Sequence, residues 1–355
     1  MNTMSPIKTG IIGFGIAGKV FHAPFVGTME QFELVKISTG NKISQDYIRE
    51  QYPAVIITSN HKEIINDPNI ELVIIGTPNE YHFTYAKEAL VAGKHVIVEK
   101  PFTITSEEAS ELIEIGKRCG KILTVHQNRR YDSDFLTLKK LLDSKLLGNV
   151  VEYEAHFDRY RPQLKDHAWR EEAIPGAGIL YDLGAHLIDQ ALILFGLPEY
   201  VYAEINVQRE FAKADDQFEL ILTYKKLKVT LKAGMLVKDP GPHLVLNGDK
   251  GSFVKWGMDV QEAALKAGFN PSTLKEWGVE PQELWGKLTA NYEGVEICGT
   301  VKSETGIYQQ YFIDVYDCIK NEGSLKVKAE EARNTIKIIE HAFESNKEMR
   351  KIPFK

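Results

Sequence analysis

Gly10-Ile11-Ile12-Gly13-Phe14-Gly15-Ile16-Ala17-Gly18 sets three glycines in the spacing G-x-G-x-x-G, directly after an apolar run and ahead of a helical pattern. Each glycine has its own reason to be there. Gly13 permits a tight turn, Gly15 lets a pyrophosphate approach the backbone N–H groups of the Phe14, Ile16 and Ala17 stretch, and Gly18 lets helix and strand pack closely. Alone the motif is weak, because a glycine-rich turn without a ligand reads the same way. Its flanks, a strand before and a helix after, make a dinucleotide site the better reading.

Outward from that loop, short apolar runs alternate with helical patterns up to about residue 127, the sequence form of repeated βα units. Thr9 to Ile12, Leu34 to Ser38, Val55 to Thr58, Leu72 to Gly76, Val96 to Val98 and Leu123 to Val125 read as parallel strands. Several are apolar on both alternations, as strands covered on two faces are. Tyr81 to Ala92 and Ser106 to Cys119 read as helices closed by Gly93 and Gly120. Beyond residue 127 the texture changes. A helix over Phe135 to Leu147 precedes longer strands, Val150 to Asp158, Val201 to Gln208, Phe218 to Tyr224, Leu227 to Lys232 and His243 to Leu246, which predict a large, mainly antiparallel sheet. Helices are expected over Leu183 to Leu194 and over Glu330 to Lys347. The chain is therefore expected to be α/β, with a dinucleotide-binding domain over 1–127 and a second domain over 128–355.

The 355 residues, 43% of them hydrophobic, suffice for two such cores. A net charge of -6 offers no basic field to gather nucleic acid or an anionic membrane. Cys119, Cys298 and Cys318 are too scattered for a disulfide framework or a CxxC metal site, which points to a reducing, cytoplasmic setting. No run approaches the ~20 apolar residues of a membrane-spanning helix, and the N-terminus enters its first strand without the apolar core of a signal peptide.

NAD-binding loops place a carboxylate about twenty residues past the glycines, but here the sequence reads Ile37-Ser38-Thr39-Gly40-Asn41-Lys42. With no acid there a 2′-phosphate is not repelled, and Ser38, Thr39, Asn41 and Lys42 offer hydrogen bonds and one positive charge. NADP is expected, with NAD as the alternative. Glu99-Lys100-Pro101 falls at the end of the fifth strand, where open α/β sheets collect ligands, so Lys100 is a candidate for stabilising a developing alkoxide. A surface salt bridge is the plainer reading of that pair. Within Gly176 to Asp189, Asp182 and His186 stand four apart and share a helical face, so the carboxylate can orient the imidazole as a proton acceptor. An N-cap followed by a core histidine explains the same spacing. Zinc on Asp182, His186 and Asp189 lacks a further His or Cys cluster, and no metal is expected.

Taken in order, the glycine loop, Thr77-Pro78-Asn79 with His82, Glu99-Lys100-Pro101 and the Asp182/His186 pair resemble the Gfo/Idh/MocA oxidoreductases, the group of glucose-fructose oxidoreductase and the inositol dehydrogenases. The resemblance covers nearly the whole chain. It implies a Rossmann domain joined to an α/β domain whose large open sheet often carries oligomer contacts, hence a homodimer or homotetramer. It also implies that Lys100, Asp182 and His186 form the catalytic group, with Thr77, Pro78, Asn79, His82 and Glu99 near the cofactor. Within the family, Phe21-His22-Ala23-Pro24, Asn128-Arg129-Arg130-Tyr131-Asp132, Arg159-Tyr160-Arg161-Pro162 and Trp169-Arg170 are similar to the NADP-dependent scyllo-inositol 2-dehydrogenases. Thr39-Gly40 departs from a Ser-Arg pair of that group, and Tyr131 from a tryptophan. Asn128, Trp169 and Arg170 are accordingly expected at the cofactor. Asn128, Asp158, Tyr160 and Arg161 offer donors and acceptors for a ring crowded with hydroxyls, and bridging the two domains is an equally open role for them. The expected activity is hydride transfer between nicotinamide and a cyclic polyol or sugar. A nicotinamide-binding sensor without turnover, or a glycosidase with a tightly held nicotinamide, are the alternatives.

Overall fold

A computed structural model describes residues 5–165, 168–321 and 323–354. The expected parallel strands form one sheet: β1 (Ile7–Ile12), β2 (Phe32–Ser38), β3 (Ile56–Thr58), β4 (Leu72–Ile75), β5 (His95–Glu99) and β6 (Leu123–His126), in the order β3-β2-β1-β4-β5-β6. All neighbouring pairs that define this order are parallel. Leu72, Val73, Ile74 and Ile75 are each 0% exposed, as a strand covered on both faces requires. The order reverses between β1 and β4, which is where such sheets open a crevice at the carboxyl ends of their strands.

The second sheet has nine strands: β7 (Val150–Asp158), β8 (Tyr200–Asn206), β9 (Gln217–Thr223), β10 (Lys228–Gly234), β11 (Leu244–Gly248), β12 (Gly251–Lys255), β13 (Gly286–Tyr292), β14 (Val295–Val301) and β15 (Ile352–Pro353). Their order is β14-β13-β12-β11-β7-β10-β9-β8-β15, antiparallel except where β7 meets β10. Phe218, Leu220 and Leu222 of β9 are buried while their neighbours are half-buried, the alternation of a sheet packed on one face. β13 and β14 were not evident in the sequence. Their turn uses Glu293 and Gly294, both at positive φ (51° and 86°), and Glu-Gly is not among the usual turn pairs for that backbone.

Two compact units result, and they interleave along the chain. The first takes residues up to Asn128 with 261–277 and 307–333, the second 129–260, 278–306 and the C-terminal residues from Asn334. Each sheet lies within one unit. The helix Tyr308–Lys320 belongs to the first because its Phe312 stacks on Phe25 at 4.9 Å and meets His22 and Phe32 edge-on.

In the second unit the helix Ser133–Ser144 carries Asp134, fully buried, 3.6 Å from His243 Nε2. The His243 ring stacks on Phe157 of β7 at 5.3 Å, and its Nδ1 donates to the His156 carbonyl oxygen. Burial pushes the Asp134 carboxyl up to about 6, with Lys255 pulling the other way, and pushes His243 down to about 4. The native chain therefore keeps the Asp134 proton through a window, from about pH 4 to about pH 6, in which the unfolded chain has lost it. Stability contributed by this group falls as pH rises through that window and stays lower above it. Asp134→Asn should accordingly gain on the unmodified chain by up to about 3 kcal/mol between those limits. Urea unfolding at a series of pH values measures this; a constant difference would remove Asp134 as the cause.

Candidate active site

Gly13 sits at φ +90°, and a Cβ there would come within 2.6 Å of the Gly76 carbonyl oxygen. A Cβ on Gly18 would lie 2.4 Å from the Gly13 carbonyl oxygen. Gly15 differs, for nothing lies within 4 Å of a Cβ added to it. Two of the glycines thus answer to the protein's own packing, and the third faces open space that a pyrophosphate suits. Gly13 N–H donates to the Ser38 carbonyl and Gly76 N–H to the Ile12 carbonyl, so the ends of β1, β2 and β4 are joined around the loop. Phe14 is buried, Ile16 is exposed, and Ala17 opens a widened π-helical turn, Ala17–His22, continued by the helix Ala23–Val26. Ser44 Oγ donates to the Phe14 carbonyl oxygen, which brings the second loop against the first. In that loop Ser38 and Thr39 are buried, Asn41 Oδ1 caps the helix Lys42–Gln51 through Ser44 N–H, and Lys42 is exposed. The loop from Ser38 to Lys42 carries no carboxylate.

At the carboxyl end of β5 three N–H groups converge on Glu99. Its Oε1 lies 2.7 Å from His22 Nε2 and 2.8 Å from His126 Nδ1, and its Oε2 accepts Lys100 N–H at 3.1 Å. Burial opposes the charge, yet His126 and His22 outweigh it and hold this carboxyl well below its usual range. Burial also pushes His22 down. His22 Nδ1 has no hydrogen-bond partner among the described residues, which leaves Nε2 as the protonated nitrogen of a neutral ring. Two histidines and a carboxylate resemble a metal set, but the separations are those of N–H···O bonds. Donors held about 2.0–2.2 Å from a common zinc in a tetrahedron would stand more than about 3 Å apart. The cluster is therefore a hydrogen-bonded support for the Lys100 backbone. The Lys100–Pro101 peptide is cis, and Lys100 is half-buried. His82, buried beside Asn79 and Pro78, lies between the carbonyl oxygens of Pro101 (2.8 Å) and Thr77 (3.0 Å) and, kept neutral by burial, donates to one at a time. Asn128, buried, opens the turn Asn128–Tyr131 at the end of this unit.

In the second unit, Asp182 lies in a π-helical turn, Leu180–Gly184, and His186 in the helix that continues it, Ala185–Phe195. Their spacing is therefore not that of a regular α-helix. His186 is buried with its ring edge-on to Phe157 at 6.3 Å. The Asp182 carboxylate is 3.4 Å from Arg170 Nε, and the Arg170 guanidinium lies over the Trp169 ring at 4.4 Å. Trp169, Arg170 and Asp182 are thus brought together, one turn from His186. Asp189 gives both oxygens to Arg130 (2.7 and 2.6 Å), a bidentate fork that occupies them. Asp158 is 3.3 Å from His156 Nδ1, Tyr160 is exposed in a β-bridge with Leu236, and Arg161 N–H donates to the Met235 carbonyl oxygen. Asp158 ends β7, and Tyr160 and Arg161 lie just beyond it at the margin of the sheet. His126, Arg209 and Asp215, all of which support candidate residues, carried no local motif that would have singled them out, and Arg130 was marked only as part of the Asn128 to Asp132 motif.

Residues 7–127 match the family model described as the NAD-binding Rossmann fold of the GFO_IDH_MocA oxidoreductases, and residues 139–354 match that of the family's C-terminal alpha/beta domain. A scyllo-inositol 2-dehydrogenase (NADP(+)), IolW of Bacillus subtilis (strain 168), is 40% identical over 98% of this chain and 95% of its own length. YdgJ of Escherichia coli (strain K12), an uncharacterized oxidoreductase, is 42% identical over 96% of each chain. The solved structure of the oxidoreductase YvaA from Bacillus subtilis superposes with a TM-score of 0.95 at 39% identity, covering 100% of both chains.

The unequal surroundings of the glycines separate binding from folding. Gly15→Ala should melt with the unmodified chain while weakening dinucleotide binding at least about tenfold, and Gly18→Ala should lower the melting temperature itself. Calorimetric titration and thermal melts distinguish the two; full dinucleotide affinity in Gly15→Ala would remove the phosphate role from this loop.

Proposed function

We propose, from the premise that this chain belongs to the Gfo/Idh/MocA oxidoreductase family, that it moves hydride between a nicotinamide cofactor and a hydroxyl-bearing carbon of a cyclic polyol of the inositol type or of a sugar. At the coarser level the chain is an NAD(P)-dependent dehydrogenase with a small-molecule substrate. The observation that carries the finer reading is the place of Lys100, pinned through its backbone to Glu99 at the carboxyl end of a strand in the sheet that bears the glycine turn.

The nicotinamide ring, when bound, accepts or supplies the hydride. Lys100 donates a hydrogen bond to the reacting oxygen and stabilises the negative charge that develops there. His186 takes the hydroxyl proton in oxidation and returns it in reduction. Asp182 favours the protonated imidazole, and Arg170 at 3.4 Å holds that carboxylate in place. Asn128, Asp158, Tyr160 and Arg161 are assigned to the ring hydroxyls, and Asn128, Trp169 and Arg170 also to the cofactor. NADP is the proposed cofactor, supported by the acid-free loop from Ser38 to Lys42 and by the NADP dependence of a relative 40% identical. A homodimer or homotetramer is proposed as the working form, supported by Val295 (63% exposed) and Ile297 on the edge strand β14.

Lys100→Ala and His186→Ala should each lower turnover by about a hundredfold or more and leave cofactor affinity near that of the unmodified chain. The assay follows reduced-nicotinamide absorbance across inositol isomers, inososes and common sugars with both cofactors. The reading expects scyllo-inositol with NADP to give the highest flux. A preference for NAD would overturn the cofactor assignment, and undiminished turnover in either variant would remove that residue from the chemistry.

A further inference from the structure

The chain between β8 and β9, residues 207–216, reaches back over the segment that carries Trp169, Arg170 and Asp182. Arg209 is the centre of that contact. Its side chain is 3% exposed, its Nη2 lies 2.6 Å and its Nη1 3.3 Å from the two carboxylate oxygens of Glu171, and its Nε donates to Asp216 at 2.9 Å. Nη1 also reaches the Arg161 carbonyl oxygen at 3.4 Å. Asp216 in turn accepts the N–H groups of Gln208 and Arg209, so the connection is itself folded around the guanidinium.

A second contact lies a few residues further on. Asp215 Oδ2 accepts Leu180 N–H at 2.8 Å and the Asp215 carbonyl accepts Ile179 N–H at 3.0 Å, both at the entry to the turn that holds Asp182. Gly178 is at φ +85°, and a Cβ there would fall 1.9 Å from Asp215 Oδ1, so the carboxylate occupies the space a side chain would need. Gly178 N–H donates to the Arg170 carbonyl oxygen, which closes the segment on itself. Arg170 and Asp182 therefore meet between two fixed points, Glu171 on one side and Leu180 on the other.

We propose that Arg209 and Asp215 are positioning residues for the reaction: the β8–β9 connection holds the Trp169–Glu171 turn and the start of the Asp182 helix in register, and so sets the Arg170–Asp182 contact beside His186. The proposal rests on the assignment of Asp182 and His186 to the chemistry. Burial also pushes the Asp215 carboxyl up to about 6, in spite of the backbone N–H groups it accepts, so it is an expensive residue to keep for packing alone. Lysine cannot replace Arg209, because an ammonium cannot span two carboxylate oxygens and a third acceptor in one plane.

The test uses the full chain with Arg209→Lys and Asp215→Ala, scyllo-inositol and NADP. Arg209→Lys should lower kcat by about 10- to 100-fold, as a misplaced catalytic contact does. In an Arg170→Ala background it should cause little further loss, since the two changes break one chain of contacts. Amide exchange should quicken across residues 168–186 in both single variants and stay unchanged in β9 and β10. Losses that simply add, or unchanged exchange over 168–186, would overturn the proposal. Should Arg209→Lys fail to fold, Glu171→Gln weakens the same ion pair and takes its place in both arms. If the unmodified chain turned over no polyol or sugar, the proposed reaction would fall, while the exchange arm would still decide whether the connection holds the segment.

Discussion

Taking an ionised carboxylate out of water costs several kcal/mol, and Glu99 stays charged in the interior only because three N–H groups meet it. Hydrogen bonds to a charged acceptor return about 1.5–3 kcal/mol each, so the three together are of the size needed to offset the cost, whereas one alone is not. The donors come from His22 after the glycine loop, from His126 at the end of β6 and from Lys100 itself. One charge thereby ties together the first helix, two strand ends and the backbone of the proposed electrophilic lysine. Lys100 N–H cannot swing away without leaving a buried charge short of a partner, and its side chain leaves the sheet from a fixed origin.

In each unit a widened helical turn ends at or just before a histidine of the candidate site. In Ala17–His22 the turn leads from the glycine loop to the histidine that reaches Glu99, and in Leu180–Gly184 it holds Asp182 and delivers the chain to His186. A π turn inserts one residue into the helical repeat and so re-aims the side chains beyond it, which is why such turns gather at functional sites. Only the first turn needs its glycine for room: a Cβ on Gly18 would lie 2.4 Å from the Gly13 carbonyl oxygen, whereas one on Gly184 would first meet the tip of the Leu180 side chain, which can move aside.

The second unit supports its residues with forks of charge. Arg130 grips Asp189 of the helix Ala185–Phe195, Arg209 grips Glu171, and Arg170 meets Asp182 where both are partly exposed. Arg130–Asp189 is almost fully buried, and in Arg209–Glu171 the guanidinium is, so breaking either pair from the carboxylate side would leave a buried arginine uncompensated. The third is half-exposed, where water screens it, and its strength depends on how firmly its neighbours hold it in place.

Hydrophobic periodicity and glycine stereochemistry are local properties, so the sequence by itself determined the parallel sheet, the central strands of the antiparallel one, the glycine turn, the helix Ser106–Cys119 with its Gly120 cap, and the candidate chain positions of Lys100, Asp182 and His186. Tertiary structure alone decided which side chains support them. His22 and Glu99 are 77 residues apart, Arg130 and Asp189 59, Arg209 and Glu171 38, and no spacing along the chain announces such pairs. The same holds for the return of Tyr308–Lys320 to the first unit and for the π turn that breaks the α-helical register between Asp182 and His186. Pairing of buried charges and aromatic rings is settled by which surfaces meet when the core closes, and that meeting is a property of the folded chain rather than of any one segment.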